Sequence, residues 1–480
     1  MTTAAPTSAP LMLSVSGCRG IVGQSLTPPV AARYARAIAR WAIEQRTPDS
    51  PERPSIVLAR DGRLGGHAYE AIVAGSLAAA GLDVIRLGVA TTPTVGVMVN
   101  HLQADAGVQI TASHNPQTWN GIKTIDRTGA APPKMQADQI IASFHAEDPA
   151  DWSVDVGYMT ERHDGPSIHA RRAIDAIASI ADIEGIRAAD HTAVIDSVNA
   201  SGGPAARCLL EQLGVHTHFL FDDGSGMFPH TPEPLAENLV ELCESVAKDP
   251  ATTIGFAQDP DADRLAIVDE RGQFIGEEYT LALCTLAMQE LTGQNHTVVT
   301  NLSTSRMVDD LTAAANNGKT MAVRAPVGEA NVVEVMRRID APLAGEGNGG
   351  VIWPAVVPIR DSLGAMALVL ALMTKRNQPL STIVAEITPY AIVKRKMPIA
   401  EGLTEVAFEA AASAFPHASQ DHQDGLRLDM HLDDGTQAWV HVRPSNTEPI
   451  LRLIGEAHTE DTANVLLHRI EQAIENAKHS

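Results

Sequence analysis

Ala106-Gly107-Val108-Gln109-Ile110-Thr111-Ala112-Ser113-His114-Asn115-Pro116 reads as a short apolar strand that empties into a polar loop closed by an Asn-Pro turn signal. Upstream, helical and extended patterns alternate. Residues 30–43 carry apolar positions at helical spacing, 55–59 form an apolar strand, 69–80 are helical, 84–87 extended and 94–101 helical. Strand then helix, repeated, requires a parallel or mixed sheet covered on both faces. In open sheets of this kind ligands bind beyond the carboxyl ends of the strands, which is where the Ser113 loop falls.

Two later segments repeat the arrangement. Residues 253–257 feed Asp259-Pro260-Asp261-Ala262-Asp263-Arg264, and residues 341–344 feed Gly345-Glu346-Gly347-Asn348-Gly349-Gly350. Three strand-to-loop units predict an α/β fold with three similar mixed-sheet domains around one cleft. The acidic stretch 147–155 and the polar run 161–166 mark the end of the first. A strand at 192–196 opens the second, which contains the Pro-rich connection 228–234; the third starts near Gly272 and closes with a helical run at 363–374. From residue 397 the pattern changes to a hairpin, 426–430 and 438–442 around Asp433-Asp434-Gly435, and a final helix at 459–478, which predicts a smaller α+β domain. The expected domains are therefore 1–160, 161–270, 271–380 and 381–480. A chain of 480 residues is too long for one core at a prior of ~150 residues per domain.

Composition narrows the function. A net charge of −22, with Lys394-Arg395-Lys396 as the only basic run, argues against a nucleic-acid surface. Phosphate binding then needs basic residues or a metal concentrated in a cleft. Cys18, Cys208, Cys243 and Cys284 are widely spaced, suggesting neither a zinc knuckle nor a disulfide framework and fitting a reducing cytoplasm. Residues 1–10 lack a basic n-region and Leu11-Met12-Leu13 is too short for a signal core; no stretch approaches the ~20 apolar residues of a membrane span.

Ser113 offers a nucleophile or phosphate carrier in a loop expected to expose its hydroxyl to the cleft; read alone, it is equally a capping residue. His114 is a proton shuttle or a loop-orienting group. Trp119-Asn120-Gly121-Ile122-Lys123 reads as a glycine turn with an amine that acts in proton transfer if neighbours lower its pKa. Asp259, Asp261 and Asp263 can converge on one hard cation. An EF-hand is excluded: Glu270 stands at the twelfth position, but Arg264 occupies the sixth, where glycine is needed, and the flanks are strands. Mg²⁺ on these carboxylates, with Arg264 on a phosphate oxygen, is chemically consistent. Glu346 and Asn348 are candidates to grip vicinal hydroxyls of a sugar, or their glycine-rich loop is a plain turn. Their loop satisfies G-x-G-x-x-G, but Val351-Ile352-Trp353-Pro354 follows where a dinucleotide site needs a helix. Arg443-Pro444-Ser445-Asn446-Thr447-Glu448-Pro449 is a compact anion cradle or an Asn-rich turn. Arg19, between glycines, looks like a cleft cation; Arg60 and Arg63 are expected in an internal ion-pair network.

Together these loops resemble, in order and along essentially the whole chain, the α-D-phosphohexomutase superfamily. The resemblance implies a phosphorylated Ser113 and one Mg²⁺ bridging that phosphate to Asp259, Asp261 and Asp263. It implies a hexose 1,6-bisphosphate intermediate and activator, with Arg19, Lys123, His114 and Arg264 serving transfer. Glu346 and Asn348 would read the sugar, and Arg443, Ser445, Asn446 and Thr447 the non-reacting phosphate. Asn348, in place of the usual serine, resembles the phosphoglucosamine mutase-like group, so glucosamine 6-phosphate is the expected substrate; glucose or mannose phosphates are the alternative. The resemblance also implies a cytoplasmic monomer or homodimer with a phosphosugar partner. A silent phosphosugar-binding paralogue or a metal-dependent phosphatase remain the competing classes.

Overall fold

A computed structural model describes residues 10–48, 50, 52–146, 153–400, 402–445 and 449–478. The first sheet contains β1 (Met12–Ser14), β2 (Gly17–Ile21), β3 (Ser55–Arg60), β4 (Asp83–Val89), β5 (Ala106–Ile110), β6 (Trp119–Asp126) and β7 (Met159–Glu161), in the order β1-β2-β6-β5-β3-β4-β7. The second holds β8 (Thr192–Asp196), β9 (His216–Leu220), β10 (Ile254–Gln258) and β11 (Leu265–Asp269), ordered β11-β10-β8-β9. The third holds β12 (Val298–Asn301), β13 (Ala322–Ala325), β14 (Leu343–Glu346) and β15 (Gly350–Ile352), ordered β13-β12-β14-β15.

The three sheets share one plan. A central strand (β3, β8 or β12) pairs in parallel with an outer strand and an inner strand, and the inner strand hands over to an antiparallel neighbour. That handover, at β5–β6, β10–β11 and β14–β15, is where the serine, aspartate and Gly345–Gly350 loops lie, at the carboxyl end of the inner strand. The predicted fold class is thus observed: three similar mixed-sheet α/β domains and a fourth, antiparallel one. The fourth sheet, β16 (Ala391–Pro398), β17 (Ser419–Asp421), β18 (Leu426–His431), β19 (Gln437–Pro444) and β20 (Ile450–Ala457), is ordered β16-β20-β19-β18-β17. Helices Thr404–Ala414 and Glu460–Lys478 share an apolar core with it.

Two elements differ from the sequence reading. Residues 119–123 belong to strand β6, not to a turn. Gly121 serves close strand approach: an added Cβ would lie 2.5 Å from the Cys18 carbonyl oxygen and 2.6 Å from that of Thr111. The polar run at 161–166 begins inside the first sheet, since β7 ends at Glu161 and pairs in parallel with β4.

The first three domains pack as one body, because their cores are continuous. Helix Ser362–Arg376 is apolar nearly all round and buried from residue 362 to 373, and it packs on helices Tyr279–Thr292 and Gly165–Ala178. One apolar cluster consequently runs from Val57 to Ile387. The fourth domain keeps its own core and meets the third through polar groups instead. Ser303 Oγ lies 2.9 Å from His441 Nδ1, the Arg306 amide donates to Glu456 Oε1 (2.9 Å), and the Val327 amide donates to Asp424 Oδ2 (3.1 Å). Among the described residues, no helix is long and apolar enough to cross a membrane.

Candidate active site

Strand β5 ends at Ile110, and three residues later Ser113 takes a left-handed backbone conformation, φ 50°. A non-glycine residue there costs on the order of 1 kcal/mol and must be held. The clamp is Asp61-Gly62-Arg63. Thr111 Oγ1 accepts from the Ser113 amide (2.8 Å) and donates to Asp61 Oδ2 (2.6 Å). Arg63, paired with Asp61 at 2.8 Å, donates to the carbonyls of Ser113 (2.5 Å), Trp119 (2.7 Å) and Asn115 (3.4 Å). Both side chains of the pair are wholly buried. The expected ion-pair role of Arg63 holds, as does that of Arg60, which pairs with Glu70 at 2.9 Å. Replacing Arg63 by Met leaves Asp61 charged and unpaired in the interior, and the expected loss is about 3–5 kcal/mol of stability. Urea unfolding of the two proteins measures it; a difference below ~1 kcal/mol would mean that the loop supports itself.

The serine hydroxyl points across the cleft into the second domain, donating to Asp259 Oδ2 at 2.7 Å. Ser113 is only 1% exposed, so the expected opening to the cleft is not seen: the aspartate loop covers the hydroxyl. Asp259, Asp261 and Asp263 are each fully buried, and one oxygen from each lies within 4.8 Å of the others. Ala262 between them adopts φ 53°, and Ser362 Oγ grips its carbonyl at 2.8 Å. This kink turns the alternate carboxylates toward one point.

Three buried carboxylates repel one another, and the charge balance decides their state. Burial, then Asp263 and Asp261, push Asp259 well above the usual carboxylate range. For Asp261 burial also pushes upward, but Lys123 and a Thr92 hydroxyl at 2.5 Å outweigh it and hold the group low. Asp263 is likewise held low against burial, chiefly by Arg360. Oδ1 of Asp261 and Oδ1 of Asp263 are buried without a hydrogen-bond partner. Orphaned carboxylate oxygens converging beside Asp259 form an all-oxygen donor set suited to a hard divalent cation.

Lys123 reaches this cluster from β6, donating to Asp261 (2.9 Å) and Asp263 (2.7 Å). Burial lowers its pKa, but the two carboxylates overcome that and raise it above the usual lysine value. The lowered pKa that the sequence reading required is therefore absent. His114 Nδ1 is 3.4 Å from Ser113 Oγ, and burial, helped by Arg264 and Arg19, pushes its pKa down to about 2. The ring is therefore held neutral, able to accept a hydrogen bond but a weak base. Arg19 donates to the Asn115 side chain (3.3 Å) and the Ala112 carbonyl (3.5 Å), at the back of the serine loop. Arg264 faces Glu233, 3.8 Å away, and the same carboxylate oxygen is 3.9 Å from His114.

The third loop contributes Glu346, the last residue of β14, with Oε1 accepting from Asn301 Nδ2 (2.9 Å) and Oε2 from Arg360 (3.0 Å). Asn348 lies within reach of Glu346 (3.4 Å), while its oxygen accepts from the Gly350 amide (3.2 Å) and shapes its own turn. Arg443, at the end of β19, is fixed by Asp424 at 3.1 Å. Ser445 follows the strand; Asn446 and Thr447 lie outside the described residues.

Arg360, Thr92, Asn301 and Glu233 were not anticipated. Arg360 precedes Asp361, whose side chain caps the Ser362–Arg376 helix by accepting from the Leu363 and Gly364 amides (both 2.9 Å). An Asp before a long apolar run is a helix-start signal that could have placed Arg360 at a helix mouth. Glu233, inside the Pro-rich connection, carried no such signal.

Residues 12–151, 172–272 and 277–390 match the families described as phosphoglucomutase/phosphomannomutase alpha/beta/alpha domains I, II and III, and residues 393–473 match the phosphoglucomutase/phosphomannomutase C-terminal domain. The chain is 32% identical over 465 residues to a phosphoglucomutase/phosphomannomutase of Thermococcus kodakarensis, covering 96% of this chain and 98% of the relative. It is 33% identical over 456 residues to a "Probable phosphoglucosamine mutase" of Methanopyrus kandleri, covering 94% and 95%. A solved phosphoglucomutase/phosphomannomutase family protein from Burkholderia thailandensis superposes with a TM-score of 0.79 at 25% identity, over 97% of this chain and 98% of that one.

Proposed function

This chain belongs to the phosphoglucomutase/phosphomannomutase family of the α-D-phosphohexomutase superfamily and is a phosphohexomutase; from that premise we propose that it converts glucosamine 6-phosphate to glucosamine 1-phosphate through phosphorylated Ser113. The observation that carries the reading is the Ser113 hydroxyl 2.7 Å from Asp259, beside buried carboxylate oxygens without partners. Asp259, Asp261, Asp263 and a phosphate oxygen on Ser113 would hold one Mg²⁺, which supplies electrostatic stabilisation of the charge that develops on the phosphoryl oxygens.

The remaining chemistry is the protein's. The free hydroxyl of the sugar phosphate attacks phosphorus; the bond from phosphorus to Ser113 Oγ breaks, and the sugar becomes a 1,6-bisphosphate. The hydroxyl proton passes to an oxygen of the phosphoryl group in transfer, because His114, although 3.4 Å from Ser113 Oγ, is held by burial at a pKa of about 2 and is a weak base that serves there as a hydrogen-bond acceptor. Arg19, Lys123 and Arg264 provide positive charge along the transfer path, largely by positioning. Glu346 and Asn348 read the sugar while Arg443 and Ser445, with Asn446 and Thr447, hold the phosphate that is not reacting. After the bisphosphate turns over, Ser113 Oγ attacks the other phosphorus and regains its phosphoryl group, releasing the isomer. The polar seam joining the fourth domain supports an opening motion for that reorientation. Free, widely spaced cysteines support a cytoplasmic setting.

A coupled assay with Mg²⁺ and a trace of the matching bisphosphate tests the substrate. A kcat/KM for glucosamine 6-phosphate at least about tenfold above glucose 1-phosphate and mannose 1-phosphate is expected. Comparable values would instead make this a broad hexose mutase, the reading favoured by the Thermococcus relative.

A further inference from the structure

Arg360 is 7% exposed and reaches three carboxylates from three separate segments. Its Nη2 is 2.6 Å from Asp263 Oδ2 in the aspartate loop, its Nη1 is 3.0 Å from Glu346 Oε2 in the sugar loop, and its Nε is 3.3 Å from Glu329 Oε1. Glu329 Oε1 also accepts from the Arg360 backbone amide (2.8 Å), so one carboxylate at the start of helix Glu329–Arg338 holds the chain by a hydrogen bond and faces the side chain as an ion pair. The sugar loop makes room for the guanidinium stem: a Cβ on Gly350 would lie 2.3 Å from Arg360 Cδ.

We infer that Arg360 is a positioning residue that orders two loops at once, turning Asp263 Oδ1 toward the cation site and Glu346 toward the sugar. The inference deepens the mutase reading and rests on it for the sugar half. The geometry carries the argument. A planar guanidinium bound at Nη2 and Nη1 sets the relative placement of the two carboxylates, which come from different domains, in a way that a point charge cannot. With Oδ2 of Asp263 occupied by Arg360 and Lys123, its buried Oδ1 is the oxygen left to a metal. With both oxygens of Glu346 tethered, its rotamer is set before substrate arrives. A shift of ~1 Å in such a group costs on the order of 10²-fold in rate.

The test is Arg360→Lys, which keeps the charge and loses the fork. Calorimetric titration of the full chain with Mn²⁺ is expected to show about tenfold weaker binding. The KM for the sugar phosphate is expected to rise about tenfold while the thermal midpoint stays within a few degrees of wild type. Both constants within about twofold of wild type would overturn the inference, and so would a change in one without the other. If the lysine variant does not fold, Glu329→Ala removes both the charge and the acceptor that anchor Arg360 without touching either loop and should shift both constants by about threefold; unchanged constants there overturn the inference equally. Wild type serves as the control: if it lacks mutase turnover on any hexose phosphate, the functional reading fails, whereas the Mn²⁺ titration still judges Arg360.

Discussion

Ser113→Ala is expected to lower kcat by at least ~10³-fold on every hexose phosphate while leaving phosphosugar binding intact. The side chain is the only proposed acceptor of the phosphoryl group, and its described neighbours have other tasks: Asp259 Oδ2, 2.7 Å from Ser113 Oγ, belongs to the proposed cation site, and His114 Nδ1 is 3.4 Å away. The fold should survive. Alanine keeps the same Cβ at φ 50°, the Thr111 and Arg63 contacts to the loop are made to main-chain atoms, and what is lost is the 2.7 Å bond to Asp259 with the long 3.4 Å contact to His114. Such a loss costs about 1–3 kcal/mol. Three measurements on the purified variant decide the matter: turnover, calorimetric binding of glucosamine 6-phosphate, and intact mass. Lost turnover with retained binding identifies a mutase and removes the option of a phosphosugar sensor. Turnover within tenfold of wild type would sink Ser113 as the carrier.

Stripping divalent metal is expected to have an effect of the same order. Three fully buried carboxylates are paired in this arrangement with Lys123 and Arg360, with Arg264 and Arg19 adding positive charge nearby, yet Oδ1 of Asp261 and Oδ1 of Asp263 keep no hydrogen-bond partner. A divalent cation answers that deficit and stabilises several kcal/mol of developing charge in transfer, so chelation should reduce kcat by about 10³-fold or more. Mg²⁺ should restore it. Ca²⁺ should restore little, because it takes more ligands at longer distances than three carboxylates and one phosphate oxygen offer. Asp261→Asn should mimic the chelated state and resist rescue by Mg²⁺. Full activity in chelator would remove the metal from the reading.

The chemistry-bearing loops were legible because each is a local pattern. Ser113 before Asn115-Pro116, and aspartates at alternate positions 259, 261 and 263, can be recognised within six residues, and the strand preceding each loop fixes the side of the sheet on which it emerges. The same locality misled at 119–123. Gly121 looked like a turn residue, whereas the chain uses its missing side chain to bring β6 against β2. Exposure of Ser113 was also misjudged, since what covers it stands 146 positions downstream.

Sequence alone determined the repeated strand-helix plan, the three equivalent loops and the residue types that the proposed chemistry calls for, because periodicity and short motifs are properties of neighbouring residues. Tertiary structure alone decided which charges meet. Arg360 touches Asp263 across 97 positions, Lys123 meets Asp261 across 138, and Thr92 meets it across 169. Those contacts depend on how three domains close around one cleft, and burial there decides which groups stay charged. An arginine or lysine read in isolation carries no sign of the partner that will neutralise it.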